Sequence, residues 1–352
     1  MLKLTHYIAK TILSSTLIIC ISLISIFFIV TFLTQTNDIG SGKYGAFDAL
    51  IYVLLQVPSN IYLIMPMSAL LGCLMGLGIL AGHSELIVMR SIGCSTFQIG
   101  KGVLLASVII SIFSLIIGGY IAPKASRIAD LNKALLKDGN QSVLSDGSEQ
   151  LWLKEGNNFI QFDKSPKTGE VNNISIFTIK NGNLFSISSA KNSAYKNSQW
   201  KLYNVKNIII KKSNIQSTLH KEQIWNSLLP PQLVKVIGSD PKYLTLFSLI
   251  QYSIYTENSE NINLQIWNII LQPIMIAILM MMAVPFSFGS MRSSTLAIKL
   301  VIGLGLGFIF YIVDQFFGPV TIVYNLPAFL GAFIPCLIFF FILILLFIKM
   351  RE

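Results

Sequence analysis

The sequence predicts an α-helical membrane protein with six transmembrane helices and an inserted extracytoplasmic β-jellyroll-like domain. Three observations carry this. Only 12% of the residues are charged and 53% are hydrophobic, where a soluble domain is about a quarter charged. Apolar runs of about 20 residues, the length a spanning helix needs, recur along the chain. Between the third and fourth runs lies a polar stretch in which short segments alternate apolar and polar residues, the period of half-buried strands.

The first run extends from about Ile12 to Leu33. Its basic flank, Lys3 and Lys10, resembles a signal peptide, but the apolar core is too long and no small-residue cleavage site follows. Phe47 to Leu80 is too long for one straight span and holds Pro58 and Pro66. It reads as a short interfacial helix up to Val57 and a span from about Ser59 to Leu80. A third span covers about Gly102 to Ile121, and the last three run from about Leu264 to Phe286, Thr295 to Phe317 and Ala328 to Ile348. Lys and Arg in short segments set orientation. Lys3, Lys10, Arg90, Lys101, Arg292, Lys299, Lys349 and Arg351 all fall on one side if the spans number six. Both termini and the 81–101 turn are therefore expected in the cytoplasm, and the long middle outside.

In that middle, residues 123–138 read as a helix continuing the third span, broken by Asp138-Gly139-Asn140 and Asp146-Gly147-Ser148. Alternating segments follow at 158–162, 174–179, 184–188, 200–205 and 223–225. Several short strands at such spacing indicate a small sandwich or jelly roll. Ser239-Asp240-Pro241 then opens an amphipathic helix to about Thr256, with Leu244, Phe247, Leu249 and Ile250 as its expected apolar face. The division is thus 1–138 with the first three spans, 139–238 as the β domain, and 239–352 with the amphipathic helix and the remaining spans.

Catalytic text is missing from the sequence. Ser95-Thr96-Phe97-Gln98-Ile99-Gly100-Lys101-Gly102 comes nearest to a phosphate-binding loop. It lacks the first glycine and puts Gly102 where the hydroxyl belongs. The three histidines are scattered, no His/Cys spacing suits a metal, and no nucleophile elbow occurs. No catalytic residue, metal or cofactor is expected. The net charge of +10 gathers near span ends and on the central polar stretch, without aromatic interleaving, so no nucleic-acid partner is expected. None of the four cysteines (Cys20, Cys73, Cys94, Cys336) falls in the polar middle, so no disulfide framework is available there.

Four features invite a functional reading. Ser84 to Ser91 forms a short helical pattern between two spans. Ser84 is placed to cap it, Glu85 to complement its dipole and Gly93 to end it. Leu86, Ile87, Met89 and Ile92 stay exposed unless a partner or the bilayer meets them, so a docking role is expected for Ser84, Glu85, Leu86, Met89 and Arg90. Gly72-x-x-x-Gly76 and Gly303-x-x-x-Gly307 permit close helix approach, for internal packing or for a gate. Asp314, near the outer end of the fifth span, reads either as an interfacial acid or as part of an ion path; no acid or histidine shares its depth. Lys43, Lys124, Arg127, Lys133 and Lys137 are placed near the outer membrane face, where they either snorkel or bind an anionic lipid head group.

Motifs recur along the whole chain: Pro66-Met67-Ser68-Ala69-Leu70-Leu71-Gly72, Ser84-Glu85-Leu86-Ile87-Val88-Met89-Arg90, Trp152-Leu153-Lys154-Glu155-Gly156-Asn157-Asn158-Phe159, Gln272-Pro273, Phe308 to Gln315, Phe317-Gly318-Pro319 and Leu326-Pro327. Together, in this order, they resemble the LptF/LptG permeases of the lipopolysaccharide exporter. The resemblance implies a non-catalytic ABC-transporter permease of the Gram-negative inner membrane, with a periplasmic β domain. Its implied partners are an LptF-like sister permease, an LptB-like ATPase dimer that binds the ATP, LptC- and LptA-like periplasmic bridge proteins, and lipopolysaccharide. It makes 84–91 the coupling helix and makes about 12–33 and 295–317 lateral gates. Gly303, Gly307 and Asp314 are then gate or packing residues, and Phe28, Lys43, Lys124, Arg127 and Lys133 candidate substrate contacts. The family's basic residues along and just after the first span are replaced here by Thr31, Thr34, Thr36, Asn37 and Asp38, with only Lys43 downstream. An ABC exporter for another lipid or lipoprotein, an ion-coupled secondary transporter and a membrane-anchored lipid enzyme remain as alternatives. The secondary transporter would need coupling acids in mid-membrane, and the enzyme a nucleophile or metal cluster.

Overall fold

The computed structural model describes residues 2–145, 150–155, 158–163, 170–180, 183–196, 199–211, 214–225, 241–255, 260–288 and 295–351. They divide into two compact units, one of residues 1–39, 44–130 and 263–352, the other of 40–43 and 131–262.

The first unit is helical. Its elements are α1 (Leu2–Thr36), α2 (Ala46–Gly82), α3 (Glu85–Ser91), α4 (Thr96–Ile116), a π turn (Ile117–Ile121) and the start of α5 (Ala122–Ser145). From the C-terminal half come α7 (Glu260–Phe288), α8 (Leu296–Val323) and α9 (Ala328–Arg351). Among the described residues, six helices are long and apolar enough to cross a membrane. The buried core gathers where the second half of α2 meets α3, α4, α7 and the start of α1, with Ile12, Leu70, Leu74, Leu77, Ile99, Ile276 and Leu279 fully enclosed.

The expected break at Pro58 is absent: α2 runs through both Pro58 and Pro66. Proline removes one N–H and frees the carbonyl four residues earlier. Inside a membrane such a helix persists when neighbours satisfy that carbonyl. For Pro66 the freed group is the Tyr62 carbonyl, which accepts a hydrogen bond from Gln272 Nε2 of α7 at 2.8 Å. The break expected at residues 138–140 is also absent, since α5 continues to Ser145; the second expected break, 146–148, lies outside the described residues. Where α4 passes into α5, Gly118 of the π turn lies against the Tyr62 ring, closer than any Cβ would allow. The turn thereby fixes where Tyr62 points.

The second unit is an inserted β domain plus the end of α5 and a short helix. Six antiparallel strands, β1 (Gln150–Glu155), β2 (Asn158–Asp163), β3 (Glu170–Lys180), β4 (Asn183–Lys196), β5 (Gln199–Lys211) and β6 (Asn214–Trp225), pair in sequence order. A simple meander buries one face, yet this sheet buries residues at odd spacing. Ala190 and Ser193 on β4 are both enclosed, as are Leu202 and Val205 on β5. The switch falls on one row, Asn173, Lys191, Asn204 and Lys221, which the pairing skips on every strand from β3 to β6. Asn173 (φ 52°) and Asn204 (φ 54°) there adopt the left-handed conformation that asparagine tolerates. This crease turns the inward side over, so one continuous sheet wraps a core of Ile160, Ile174, Ile176, Ala190, Trp200, Leu202 and Val205.

After a 3₁₀ turn (Pro241–Tyr243) comes α6 (Leu246–Tyr255), whose Tyr252 packs on that core. Its expected apolar face divides: Leu244 and Leu249 are buried, while Phe247 and Ile250 are exposed. Phe247 stands two positions from Leu249, about 200° around the helix, so both cannot face inward.

Candidate functional site

Helix α3 is built by its neighbours more than by its cap. Ser84 occupies the cap position with φ 61°, and its side chain makes no cap hydrogen bond, contrary to expectation. In that left-handed conformation the backbone does the work: the Ser84 carbonyl accepts from the Ile87 and Val88 amides, both at 3.1 Å. Gly93, φ 89°, ends the helix as expected. The Cys94 amide returns to the Met89 carbonyl and the Gly93 amide to that of Arg90, both at 3.0 Å, the bonding pattern of a left-handed glycine stop.

The four apolar residues expected to stay exposed separate by helical phase. Leu86 and Met89 are buried in the core of the helical unit. Ile87 and Ile92 remain 52% and 76% exposed, joined by Val88 at 56%. Leu86 and Met89 therefore anchor α3, and the free surface is Ile87, Val88 and Ile92 beside Glu85 and Arg90. The Glu85 carboxylate lies 3.8 Å from His83 Nδ1 and meets the Tyr7 hydroxyl of α1. The Arg90 guanidinium stands 5.9 Å from the Phe288 ring centre at the end of α7. The anchored helix presents an acid, a base and three aliphatic side chains, a surface suited to a protein partner and carrying no chemistry of its own.

Both glycine pairs serve packing within the chain. Gly72 lies against the Thr16 backbone and Gly76 against Ile12, so α1 rests directly on α2. Gly303 and Gly307 of α8 receive Leu74 and Met67 of α2. The other sides of α1 and α8 stay open, with Ile18, Ile21, Ile26, Ile29, Val30 and Leu33 exposed on α1, and Val301, Leu304, Phe308 and Ile312 on α8. Phe28 is half-buried on α1.

Asp314 lines a cavity of about 130 Å³ between α2, α7, α8 and α9, with Tyr62, Asn268, Gln272, Gln315 and Cys336 among its other walls. Among the described residues, no second acid and no histidine lines it. The amides and the phenol were not anticipated from the sequence. One signal for them was Gln272 beside Pro273, since a polar amide inside an apolar run needs a partner.

The candidate lipid contacts on α5 do not share one face of that helix. Lys124, Arg127 and Lys133 all lie on α5, and Lys124 and Arg127 are exposed. At 100° per residue Lys133 falls on the side opposite Lys124. Lys124 Nζ sits 3.7 Å from the centre of the Tyr120 ring. Lys43 is exposed in the other unit, and its amide donates to the Leu136 carbonyl at 2.7 Å, which fastens the 40–43 loop to the end of α5.

A polar ladder that sequence reading did not find holds α5 to α2. Tyr52 Oη donates to Asp130 Oδ1 at 2.9 Å and accepts from Gln56 Nε2 at 3.3 Å. Ser126 Oγ donates to Gln56 Oε1 at 3.0 Å and meets Ser59 Oγ at 2.6 Å. Residues 52, 56 and 59 share one face of α2 by i, i+4, i+7 spacing. Tyr52→Phe removes a donor to a charged acceptor and is expected to cost about 1.5–3 kcal/mol. Asp130→Asn, which keeps an acceptor, is expected to cost less. Thermal unfolding of the purified chain in lipid nanodiscs measures both.

The model of a family described as "Lipopolysaccharide export system permease LptF/LptG" matches residues 6–349. The chain is 34% identical over 357 residues to the lipopolysaccharide export system permease protein LptG of Escherichia coli (strain K12), covering 99% of this chain and 98% of that one. It is 32% identical over 344 residues to LptG of Haemophilus influenzae (strain ATCC 51907 / DSM 11121 / KW20 / Rd), covering 96% and 95%.

Proposed function

We propose, for a chain that belongs to the LptF/LptG family of lipopolysaccharide export permeases, that it moves lipopolysaccharide out of the inner membrane using ATP hydrolysed by a separate subunit. The observation that carries this reading is α3, held by Leu86 and Met89 while Ile87, Val88, Ile92 and Arg90 face outward with the half-buried Glu85 beside them. Such a helix transmits a push from a docked motor straight into the core it is rooted in. An LptB-like ATPase dimer is the proposed motor. The charge rule puts α3 and both termini in the cytoplasm and the β domain in the periplasm.

The open apolar sides of α1 and α8 are the proposed gates, shared with an LptF-like sister permease. Acyl chains need a shielded path, because each CH₂ left in water costs about 0.8 kcal/mol. The creased β domain is the proposed receiver, handing the lipid to LptC- and LptA-like bridge proteins. Lys124 and Lys133, on opposite sides of α5, then make separate contacts along the way, with Lys43 and Arg127 as further candidate contacts.

Photo-crosslinkers at Phe28, Lys43 and Arg127 in living cells test the substrate. The expected result is capture of lipopolysaccharide, diminished when ATP is depleted. Capture of bulk phospholipid alone, unchanged by ATP, contradicts the reading.

A further inference from the structure

Among the described residues, the cavity beside Asp314 is lined by one carboxylate, amide and phenol side chains and apolar groups, and by no positive charge. Among the described residues, no hydrogen bond or ion pair reaches the Asp314 carboxylate. Gln272 Nε2 donates one hydrogen bond to the Tyr62 carbonyl, and its Oε1 is buried without a partner among the described residues. The same cavity exposes the side chains of Asn268 and Gln315, and no lysine, arginine or histidine lines it. A carboxylate without a partner in a membrane cavity walled by amide side chains favours a positive or proton-donating occupant, because a carboxylate is costly to strip of water unpaired.

From this arrangement we propose that the cavity is a binding site for a small monovalent cation, sodium or potassium. Carboxylate, carbonyl and water oxygens are the ligands that hard cations take. About 130 Å³ holds an ion with several of its waters, each of which occupies about 30 Å³ in the liquid. One carboxylate neutralises one positive charge, whereas a divalent ion would leave a net charge within the membrane-spanning region. The walls come from four helices, so the bound ion links α8 to α2, α7 and α9. This stands on the cavity alone and does not depend on the identity of the transported lipid.

The test uses the purified full-length chain in nanodiscs. Sodium or potassium replaces N-methyl-glucamine at constant ionic strength while thermal unfolding is followed. The expected result is a saturable rise in midpoint, as for any ligand that binds only the folded state, retained in Asp314→Glu and lost in Asp314→Asn. Equal midpoints in sodium, potassium and the organic cation overturn the proposal. So does an undiminished response in Asp314→Asn, or a response confined to magnesium or calcium. Should Asp314→Asn fail to fold, saturable retention of radioactive sodium by the native chain, competed by potassium but not by the organic cation, decides for the site; no retention decides against it.

Discussion

Gly72→Leu is expected to destroy the packing of α1 on α2 and to leave little folded protein recoverable from the membrane. A Cβ at residue 72 would overlap the Cα, Cβ and Oγ1 of Thr16. Thr16 cannot turn away, because two of those atoms move only with the α1 backbone and its hydroxyl is bonded to the Ile12 carbonyl at 2.8 Å. One turn on, a Cβ at Gly76 would lie 3.0 Å from the Ile12 Cα, so sliding the helices does not relieve the clash. In lipid the helices gain little from hydrophobic attraction and depend on this close approach. Overpacking of this kind costs about 1–3 kcal/mol for a few extra methylenes and more when backbone must move. Gly72→Ala should therefore destabilise measurably, although alanine improves helix propensity by about 1 kcal/mol. Gly305→Ala is the control: no atom lies within 4 Å of a Cβ there, and its midpoint should equal or exceed the native one. A Gly72→Leu chain that melts with the native chain would remove α1–α2 contact as the basis of the fold.

The spans were legible because a bilayer leaves the backbone few choices: long apolar runs must close their hydrogen bonds within the helix. The same fact explains the misreading at Pro58. Rules learned for helices in water end a helix at proline, while here the helix continues, and at Pro66 Gln272, more than two hundred residues away, supplies the missing partner. The strand texture announced a β domain, but not the crease through Asn173 and Asn204. Asn204 reads as an ordinary solvent-facing strand position, while Asn173 reads as the end of a turn at 169–173, whereas β3 runs straight through it. At α3 the periodicity of Leu86 and Met89 could have separated them from Ile87 and Val88; treating the four apolar residues as one exposed set hid it. Asp314 was visible, its cavity was not, since Tyr62, Gln272 and Cys336 come from three other helices.

Glu85→Lys is the change expected to separate folding from coupling. The residue opens α3, where an acid complements the helix dipole by about 0.3–1 kcal/mol. Placing a lysine there costs a comparable amount and gives up the contacts with the Tyr7 hydroxyl and His83, which together do not undo a helix whose Leu86 and Met89 are buried in the main core. The variant should thus reach the membrane, purify and melt close to the native chain. Its docking surface changes far more. Glu85 lies beside exposed Ile87 and Val88, and reversing a charge at an interface sets like charges against one another at a cost of several kcal/mol. Each 1.4 kcal/mol lost at the contact is a tenfold fall in affinity, so retention of an ATPase subunit through purification from native membranes should drop at least tenfold. Glu85→Gln, which removes the charge without reversing it, should fall between. A folded Glu85→Lys chain that retains the ATPase as well as the native chain would show that the motor docks elsewhere. Transport by the purified chain without any ATPase would sink the coupling role of α3 altogether. Retention lost while the melting midpoint holds is the pattern that only a docking surface produces.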